Sequence, residues 1–471
     1  MDPQYSLQFS QHWKFFRSQA LQTTGLPFED VLPKEKVHQF LVEGNIRQQS
    51  PVYHPLVTLQ LFLWQCLSDD SSMLNAVARL IGHLVAAGKK ACSASTGAYC
   101  IARQNLPETF CRDVALHCGQ ELDRQAAPQW LWKGRHVKII DGTTVSAPDT
   151  KKNQAEYPQD CHQKPGVGFP MLRVLVVFSL AVGSALEMAI GPCLGKGTSE
   201  LAQFRQLRKV FKAGDIAVAD RFHSAWFSLA LLQEDDVDFV MRKNASRKSD
   251  FRSGRRLGKD DHVVLWPRPV RPDWMSVEEY QALPRTLEVR EVRLRVTQRG
   301  FRVKTIVVVT SLLDPTEYSA VDLTSLYRQR WHAELDLRSL KVTLGMDVLR
   351  GKTPAMLRKE LWVHLLSYNL VRTVMAQAAV KHGFAPRSLS FKATVQLISA
   401  MQPHVTGANC QAFAEFVKAL TDSLIKHVVG DRPDRVEPRA RKRRPKPFPN
   451  LTEPRTKARQ RLTRQRVVPK H

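Results

Sequence analysis

Short apolar runs alternate with helical segments between residues 136 and 241, and this order restricts the possible folds of the 471-residue chain more than any other feature. Four regions have the apolar content of buried strands, and they are 136–140, 172–191, 216–219 and 238–241. The segments 198–211 and 225–233 have the apolar spacing of helices and lie between the later strands. The order predicts a mixed α/β sheet.

One long stretch without a run of charges resembles a membrane span in length. Between Arg173 and Lys196 the only charged residue is Glu187, and about 20 apolar residues are needed to cross a bilayer. Gly183 interrupts the stretch, however, and 174–178 is rich in β-branched residues. We therefore predict two buried strands joined by a tight turn, and no membrane span.

The charge balance is strongly basic. Lys and Arg total 70 against 44 Asp and Glu, which gives a net charge of +26. The segment 432–471 holds 15 of those cations, three acids and seven prolines, so it is predicted to be extended or disordered. The excess makes nucleic acid the expected partner. The tail, including Arg439–Lys446, is predicted to bind phosphates without sequence preference, or else to be solvated without a defined contact.

Other composition features exclude several classes of protein. Eight scattered cysteines include no C-x2-C pair, so a zinc ribbon is disfavoured and a reduced, intracellular protein is expected. The histidines form no HExxH motif, and a P-loop is absent from the sequence. The first residues lack the layout of a signal peptide.

Residues 1–130 have the apolar periodicity of helices, as in 56–67, 73–87 and 98–106. This region is either a helical DNA-binding domain or a helical cap that packs on the next domain. From the sequence, the two interpretations are equally supported.

Two aspartates, Asp141 and Asp220, directly follow apolar strands. A carboxylate at the carboxyl end of a buried strand faces the crevice where α/β sheets bind ligands. Each aspartate also has a structural explanation, because Asp141-Gly142 is common turn chemistry and Asp220 could pair with Arg221. Neither residue alone establishes a catalytic site.

A predicted helix at 324–345 carries a polar stripe. Four residues lie within an arc of about 60° and along about 20 Å of a regular helix, and they are Tyr327, Arg330, Glu334 and Lys341. Leu337 and Leu340 lie off the stripe and can face the core. The alternative is a solvated helix face with ion pairs such as Arg330–Glu334.

Taken together, these motifs resemble the insertion-sequence DDE transposases that carry the Y-R-E-K signature. The matching pieces are Asp141-Gly-Thr143, the loop Gln163–Pro170, Ala219-Asp-Arg-Phe222 and the block Tyr327-Arg-Gln-Arg-Trp-His-Ala-Glu334. The resemblance covers about 136–350, with the four-residue helix signature as its most specific part.

The resemblance implies an RNase H-like domain in which Asp141, Asp220 and Glu334 bind two Mg²⁺ ions, with Mn²⁺ as a possible substitute. Carboxylate oxygens suit Mg²⁺, and two such ions can activate a nucleophile and stabilise a leaving oxygen. Tyr327, Arg330 and Lys341 would then contact DNA phosphates or displaced bases. Three tryptophans are candidates for stacking on bases: Trp331, for which a core role is equally plausible, and, in the insertion, Trp266 and Trp274.

Pattern and resemblance together predict six parts of the chain. They are a helical N-terminal domain (1–130), the first part of an RNase H-like catalytic domain (131–242), a β-rich insertion (243–305), the second catalytic part with the signature helix (306–350), C-terminal helices that could dimerise (351–431) and the basic tail (432–471).

The function implied by the resemblance is Mg²⁺-dependent cleavage at insertion-sequence ends, followed by transfer of the 3′-OH into target DNA. The partners would be double-stranded DNA and a second copy of the chain, in the cytoplasm of a bacterium next to its nucleoid. Two alternatives are a DNA-binding repressor that has lost catalysis and a related nuclease that cuts without joining. Three intact carboxylates argue against the repressor, because a protein that only binds DNA gains nothing from acids that face phosphates.

Overall fold

A computed structural model describes residues 31–46, 50, 52–295, 305–401, 410–430 and 449–466. Its centre is a nine-stranded mixed sheet with helices on both faces. The sheet confirms the predicted α/β fold.

The strands are β1 Val137–Ser146, β2 Met171–Ser179, β3 Ala185–Pro192, β4 Ile216–Ala219, β5 Asp238–Arg242, β6 Arg255–Gly258, β7 Asp261–Pro267, β8 Thr286–Arg295 and β9 Thr305–Thr310. The helices are α1 Lys34–Glu43, α2 Pro55–Leu67, α3 Met73–Ala86, α4 Gly97–Asn105, α5 Glu108–Arg124, α6 Lys151–Glu156, α7 Glu200–Leu207, α8 Trp226–Glu234, α9 Val277–Ala282, α10 Ala320–Gln329, α11 Trp331–Arg338, α12 Pro354–His382, α13 Phe391–Met401, α14 Cys410–Leu424 and α15 Arg455–Arg466.

The strand order is β3-β2-β1-β4-β5-β9-β8-β7-β6. The first three strands form an antiparallel meander, whereas β4 and β5 run parallel to β1. This arrangement of the first five strands is the RNase H-like topology. The stretch between Arg173 and Lys196, whose only charged residue is Glu187, forms most of β2 and all of β3, so the prediction of two buried strands is confirmed.

Successive side chains of the central strands pack into two separate hydrophobic cores, one on each face of the sheet. Ile139 and Val176 pack into the core on one face of the sheet, and Ile140 and Leu175 pack into the core on the other. Burial on both faces explains why these strands are continuous apolar runs in the sequence. The continuous runs therefore mark the centre of the sheet.

The predicted β-rich insertion extends this same sheet. β9 pairs antiparallel with β5, and β8, β7 and β6 follow in turn. Residues 296–304, between β8 and β9, lie outside the described residues. Arg290 is fully buried in this part and forms an ion pair of 2.5 Å with Asp261.

The N-terminal helices pack on the catalytic part rather than standing apart from it. Helix α5 contacts α12 and β3, and a Cβ at Gly119 would lie only 2.0 Å from the carbonyl oxygen of Ala185. The Asn369 amide donates to the carbonyls of Ala115 and Ala185. The helical-cap interpretation therefore describes the packing, while DNA binding by this region stays a prediction.

The C-terminal segment differs from its prediction in two respects. Helix α12 is buried along most of its length, so it belongs to the core and is not available as a dimer contact. The tail was expected to be extended or disordered, yet Arg455–Arg466 forms helix α15. The stretch Arg439–Lys446 lies outside the described residues. Within the part of the chain that the structure describes, no helix is long and apolar enough to cross a membrane.

Candidate active site

Asp141 lies in the middle of β1, which continues to Ser146 rather than ending at the aspartate as predicted. The parallel partner β4 ends at Ala219, and Ile139 pairs with Val218. Asp141 is therefore the point at which β1 loses its neighbour on that side. Its Oδ1 accepts a hydrogen bond of 3.0 Å from the Gly142 N–H.

The carboxyl ends of β4 and β5 bring further polar residues into line with Asp141. Continuing the β1–β4 register by two residues places Asp220 beside Asp141. Ala219 pairs with Met241 in β5, so Arg242 follows at the same level. Asp220 is fixed by a hydrogen bond of 2.8 Å from the Phe222 N–H to its Oδ1. Arg242 was missed in the sequence, although it follows an apolar strand as the two aspartates do.

The signature helix is interrupted twice, which the regular-helix prediction did not anticipate. It begins at Ala320, earlier than expected, because Ser319 and Asp322 form a capping box. Arg330 separates α10 from α11, and Ser339–Thr343 forms a π-helical turn. As predicted, Leu337 and Leu340 face the core.

Arg330 joins two of the three candidate carboxylates. Its guanidinium lies 2.6 Å from Glu334 and 3.9 Å from Asp141. Tyr327 is buried next to it, and burial raises the pKa of its phenol, whereas the nearby charges of Arg330 and Arg242 oppose that rise. The structure thus brings Tyr327, Arg330 and Glu334 to the sheet edge that carries the aspartates.

Lys341 reaches the same strand one step farther along. Its ammonium group donates to the Thr143 hydroxyl at 3.0 Å and to the Thr144 carbonyl at 2.8 Å. The π-helical turn widens the helix at this point, so the contact could not be deduced from an ideal helical period. The lysine therefore lies beside β1, just beyond Asp141.

The three tryptophans divide by their exposure. Trp331 is 54% exposed, so the core role is wrong and the side chain is free to stack. Trp266 is only 4% exposed and donates to Glu291, which contradicts the stacking role. Trp274 is 44% exposed and is covered on one ring face by the Arg205 guanidinium at 3.8 Å.

The electrostatics of the site centre on Asp141. Burial, with added repulsion from Glu334 and Asp220, raises the pKa of its carboxyl to about 6, although Arg330 and the Gly142 amide oppose the rise. The charges of Glu334 and Asp220 both act on Asp141, so the three acids lie near one another. Such a concentration of carboxylates is typical of a functional site.

Replacing Asp141 by Asn should stabilise the metal-free protein at pH 8. Because the folded pKa of about 6 exceeds the ordinary 3.8, the carboxyl contributes stability below about pH 4, and this contribution is lost as the pH rises through about 6. The neutral amide avoids that loss, which is on the order of 3 kcal/mol. Denaturant unfolding in EDTA at pH 8 and pH 4 measures the difference.

The free energies of unfolding of wild type and Asp141→Asn should be equal at pH 4, where the wild-type carboxyl of the folded protein is largely protonated. Asp149→Asn serves as the control, because this aspartate is exposed. Equal unfolding free energies for Asp141→Asn and wild type at pH 8 would show that burial does not penalise the charge.

A fourth carboxylate, Glu200, escaped the sequence analysis. Its side chain lies against Gly142, where an added Cβ would be 3.0 Å from Oε1. Burial raises the pKa of Glu200, as does the charge of Asp220, whereas Arg173 lowers it. His223 lies 4.0 Å away and is buried. No sequence spacing relates Glu200, at the start of α7, to β1, so only the fold brings them together.

The donor set suits a hard divalent cation. Asp141, Asp220 and Glu334 offer only oxygen ligands, which such cations prefer, and the Arg330 guanidinium already holds positive charge between two of them. Among the described residues, the only three potential ligands with atoms within 4.8 Å of one another are the exposed neighbours Asp160, Cys161 and His162. The three site acids are thus not closed into a compact cage, and Arg330 lies between Asp141 and Glu334.

An RNase H-like sheet with these carboxylates at its edge defines the DDE class of phosphodiester-transferring enzymes. A family model described as the transposase DDE domain matches residues 132–370, a span of 239 of the 471 residues. All the signature residues lie within that span. The chain therefore belongs to the DDE transposase family, whose members are metal-dependent enzymes, and within it to the IS4 insertion-sequence group.

Two Escherichia coli relatives support that placement. The transposase InsG for insertion sequence element IS4 of strain K12 is 29% identical over 363 residues, which cover 74% of this chain and 76% of InsG. The transposase for insertion sequence element IS421 is 34% identical over 302 residues, or 57% of this chain and 73% of that protein.

Among solved structures, the piggyBac transposase in a synaptic complex with hairpin DNA aligns over 88% of this chain and 85% of its own. The sequence identity is 9% and the TM-score is 0.43.

Proposed function

We propose that this transposase performs cut-and-paste transposition, cleaving DNA at the ends of its insertion sequence and joining the exposed 3′-OH to target DNA. The observation that carries the proposal is the position of Arg330 between Glu334 and Asp141. It unites the signature helix with the strand that bears the first aspartate. A binding protein derived from such an enzyme would have no need to preserve that arrangement.

Asp141, Asp220 and Glu334 would hold two Mg²⁺ ions, for which Mn²⁺ could substitute. When bound, such ions promote deprotonation of the attacking water or 3′-OH and stabilise charge on the leaving oxygen. The burial of Asp141 supports this role, because a cation stabilises the charged form of a buried carboxylate more than that of an exposed one.

The cationic residues would position the DNA. Arg330 can bind a phosphate through two parallel hydrogen bonds, whereas Lys341 and Arg242 would supply further positive charge. The half-exposed Trp331 is placed to stack on an unpaired base. Tyr327, packed against Arg330, would orient the guanidinium as well as contact DNA.

The proposal includes a homodimer that pairs two transposon ends. Since α12 is buried within the chain, the contact would have to come from α13, α14 or other surfaces. Because its substrate would be chromosomal DNA, the protein would lie in the bacterial cytoplasm next to the nucleoid.

A strand-cleavage and joining assay tests the proposed function. The full-length protein is incubated with duplexes that carry the two ends of the element and with a target plasmid, in Mg²⁺, in Mn²⁺ or in EDTA. We expect cuts that leave 3′-OH groups, followed by joined products, in either metal and neither product in EDTA. Cleavage without joining would identify a nuclease. Binding to the ends with no cleavage in either metal would identify a DNA-binding protein without catalysis.

A further inference from the structure

The C-terminal arm, residues 449–466, returns to the catalytic part of the chain. It seats on the loop 163–170, where a Cβ at Gly166 would lie 3.0 Å from Cγ of Pro454. A cavity of about 1010 Å³ separates the two segments, with Ser146 and Phe169 among the residues on one side and Leu451 and Arg455 on the other. The arm therefore lies at the far end of β1.

The loop 163–170, which we call the platform, is held by hydrogen bonds from a single side chain. The side chain of Gln159 donates to the carbonyls of Gln163 and Lys164 and accepts from the N–H groups of Gly166 and Gly168. A Cβ at Gly168 would come within 2.1 Å of the Gln163 side chain, so the platform has no room for a larger residue there. The arm is thus held on an ordered surface.

Helix α15 of the arm has no apolar face that could pack against a hydrophobic core. Its six cations are Arg455, Lys457, Arg459, Arg461, Arg464 and Arg466, and it contains no acid. The described side chains of these cations are exposed, and one ion pair within the arm joins Arg461 to Glu453 at 3.1 Å. A helix that is polar all round is stabilised by something other than core packing. Repulsion among six cations favours a partner with regularly spaced negative charge.

The distance from the active site suits one continuous DNA track. Ser146 is five residues beyond Asp141 on β1, which corresponds to about 17 Å. That distance equals about five base pairs, and Lys341 lies beside the strand between the two points. Helix α15 itself is about 18 Å long.

We propose that the C-terminal arm is a clamp for the DNA backbone, which binds phosphates of the duplex from about five base pairs beyond the cleaved bond and reads no sequence. The inference rests on the proposed function only in taking DNA as the substrate. Backbone contacts by Lys and Arg position a protein on DNA without specifying bases.

The test compares two full-length proteins that both carry Glu334→Gln to prevent turnover. One also has Lys457, Arg459, Arg461 and Arg464 replaced by Gln, and the matched control has Thr456→Ala, Gln460→Ala and Thr463→Ala on the same helix. Affinity is measured against salt for an end-bearing duplex and for a random duplex of equal length. Because each neutralised phosphate contributes about 0.9 to the slope of log K against log salt, the four changes should reduce the slope by about 3.6 on both duplexes. The control should not change it.

Hydroxyl-radical footprinting locates the contact. We expect the four-substituted protein to lose protection that begins about five base pairs from the cleaved bond, while protection over the bond itself persists. An unchanged slope and footprint would overturn the clamp, as would a loss confined to the end-bearing duplex. In either case, continued binding of the end by the parent protein would leave the proposed function intact, so the two failures are distinguishable. Unchanged thermal melting verifies that the exposed substitutions preserve the fold.

Discussion

Replacing Glu334 by Gln is expected to reduce DNA cleavage at least about 10³-fold, equivalent to about 4 kcal/mol of transition-state stabilisation. The substitution removes one negative charge from the proposed metal site but preserves the size of the side chain. The Gln carbonyl can still accept the hydrogen bond that Arg330 now donates to Glu334 at 2.6 Å. Initial rates of strand cleavage in Mg²⁺, measured beside DNA affinity in EDTA, separate chemistry from binding.

DNA affinity should change by less than tenfold, because the cations that would contact phosphates remain in place. Glu278→Gln is the matched control, since Glu278 is exposed on a short helix of the insertion and should have wild-type cleavage. If Glu334→Gln cleaved DNA at the wild-type rate, Glu334 would not be a metal ligand. If it abolished binding, the residue would act in recognition instead.

Asp336→Asn is expected to lower the free energy of unfolding by about 3–5 kcal/mol. Asp336 lies on the buried side of α11, is almost fully buried, and forms ion pairs with Arg372 and, at 3.0 Å, with Arg387. Those arginines in turn hold Tyr368 and the carbonyl of Ser179. Without the carboxylate, two buried guanidinium groups would share no counter-charge. Denaturant unfolding followed by tryptophan fluorescence measures the loss.

Asp422→Asn provides the comparison for this prediction. Asp422 also contacts two basic side chains, Lys381 at 3.3 Å and His382 at 3.0 Å, but it is 44% exposed. A surface pair of this kind contributes about 1 kcal/mol or less. Equal losses for Asp336→Asn and Asp422→Asn would mean that burial does not determine the value of the Asp336 network.

The local patterns of the sequence predicted much of the fold and the identity of the site. Continuous apolar runs predicted the central strands, because those strands are buried on both faces of the sheet. The spacing of Tyr327, Arg330 and Glu334 predicted a shared site because residues three and four apart lie on the same side of a helix.

The positions that local pattern could not give depend on contacts between distant segments. The sequence by itself determined the central strands and the signature residues of this transposase, since apolar runs and helical spacing act over a few residues. Only the tertiary structure decided that Trp331 is exposed and Trp266 buried, that Glu200 lies against Gly142, and that the arm seats on the loop 163–170. Each of these three positions depends on strand register and on packing between segments that are tens to hundreds of residues apart in the sequence. One contact more or fewer there redirects a side chain without changing the local pattern.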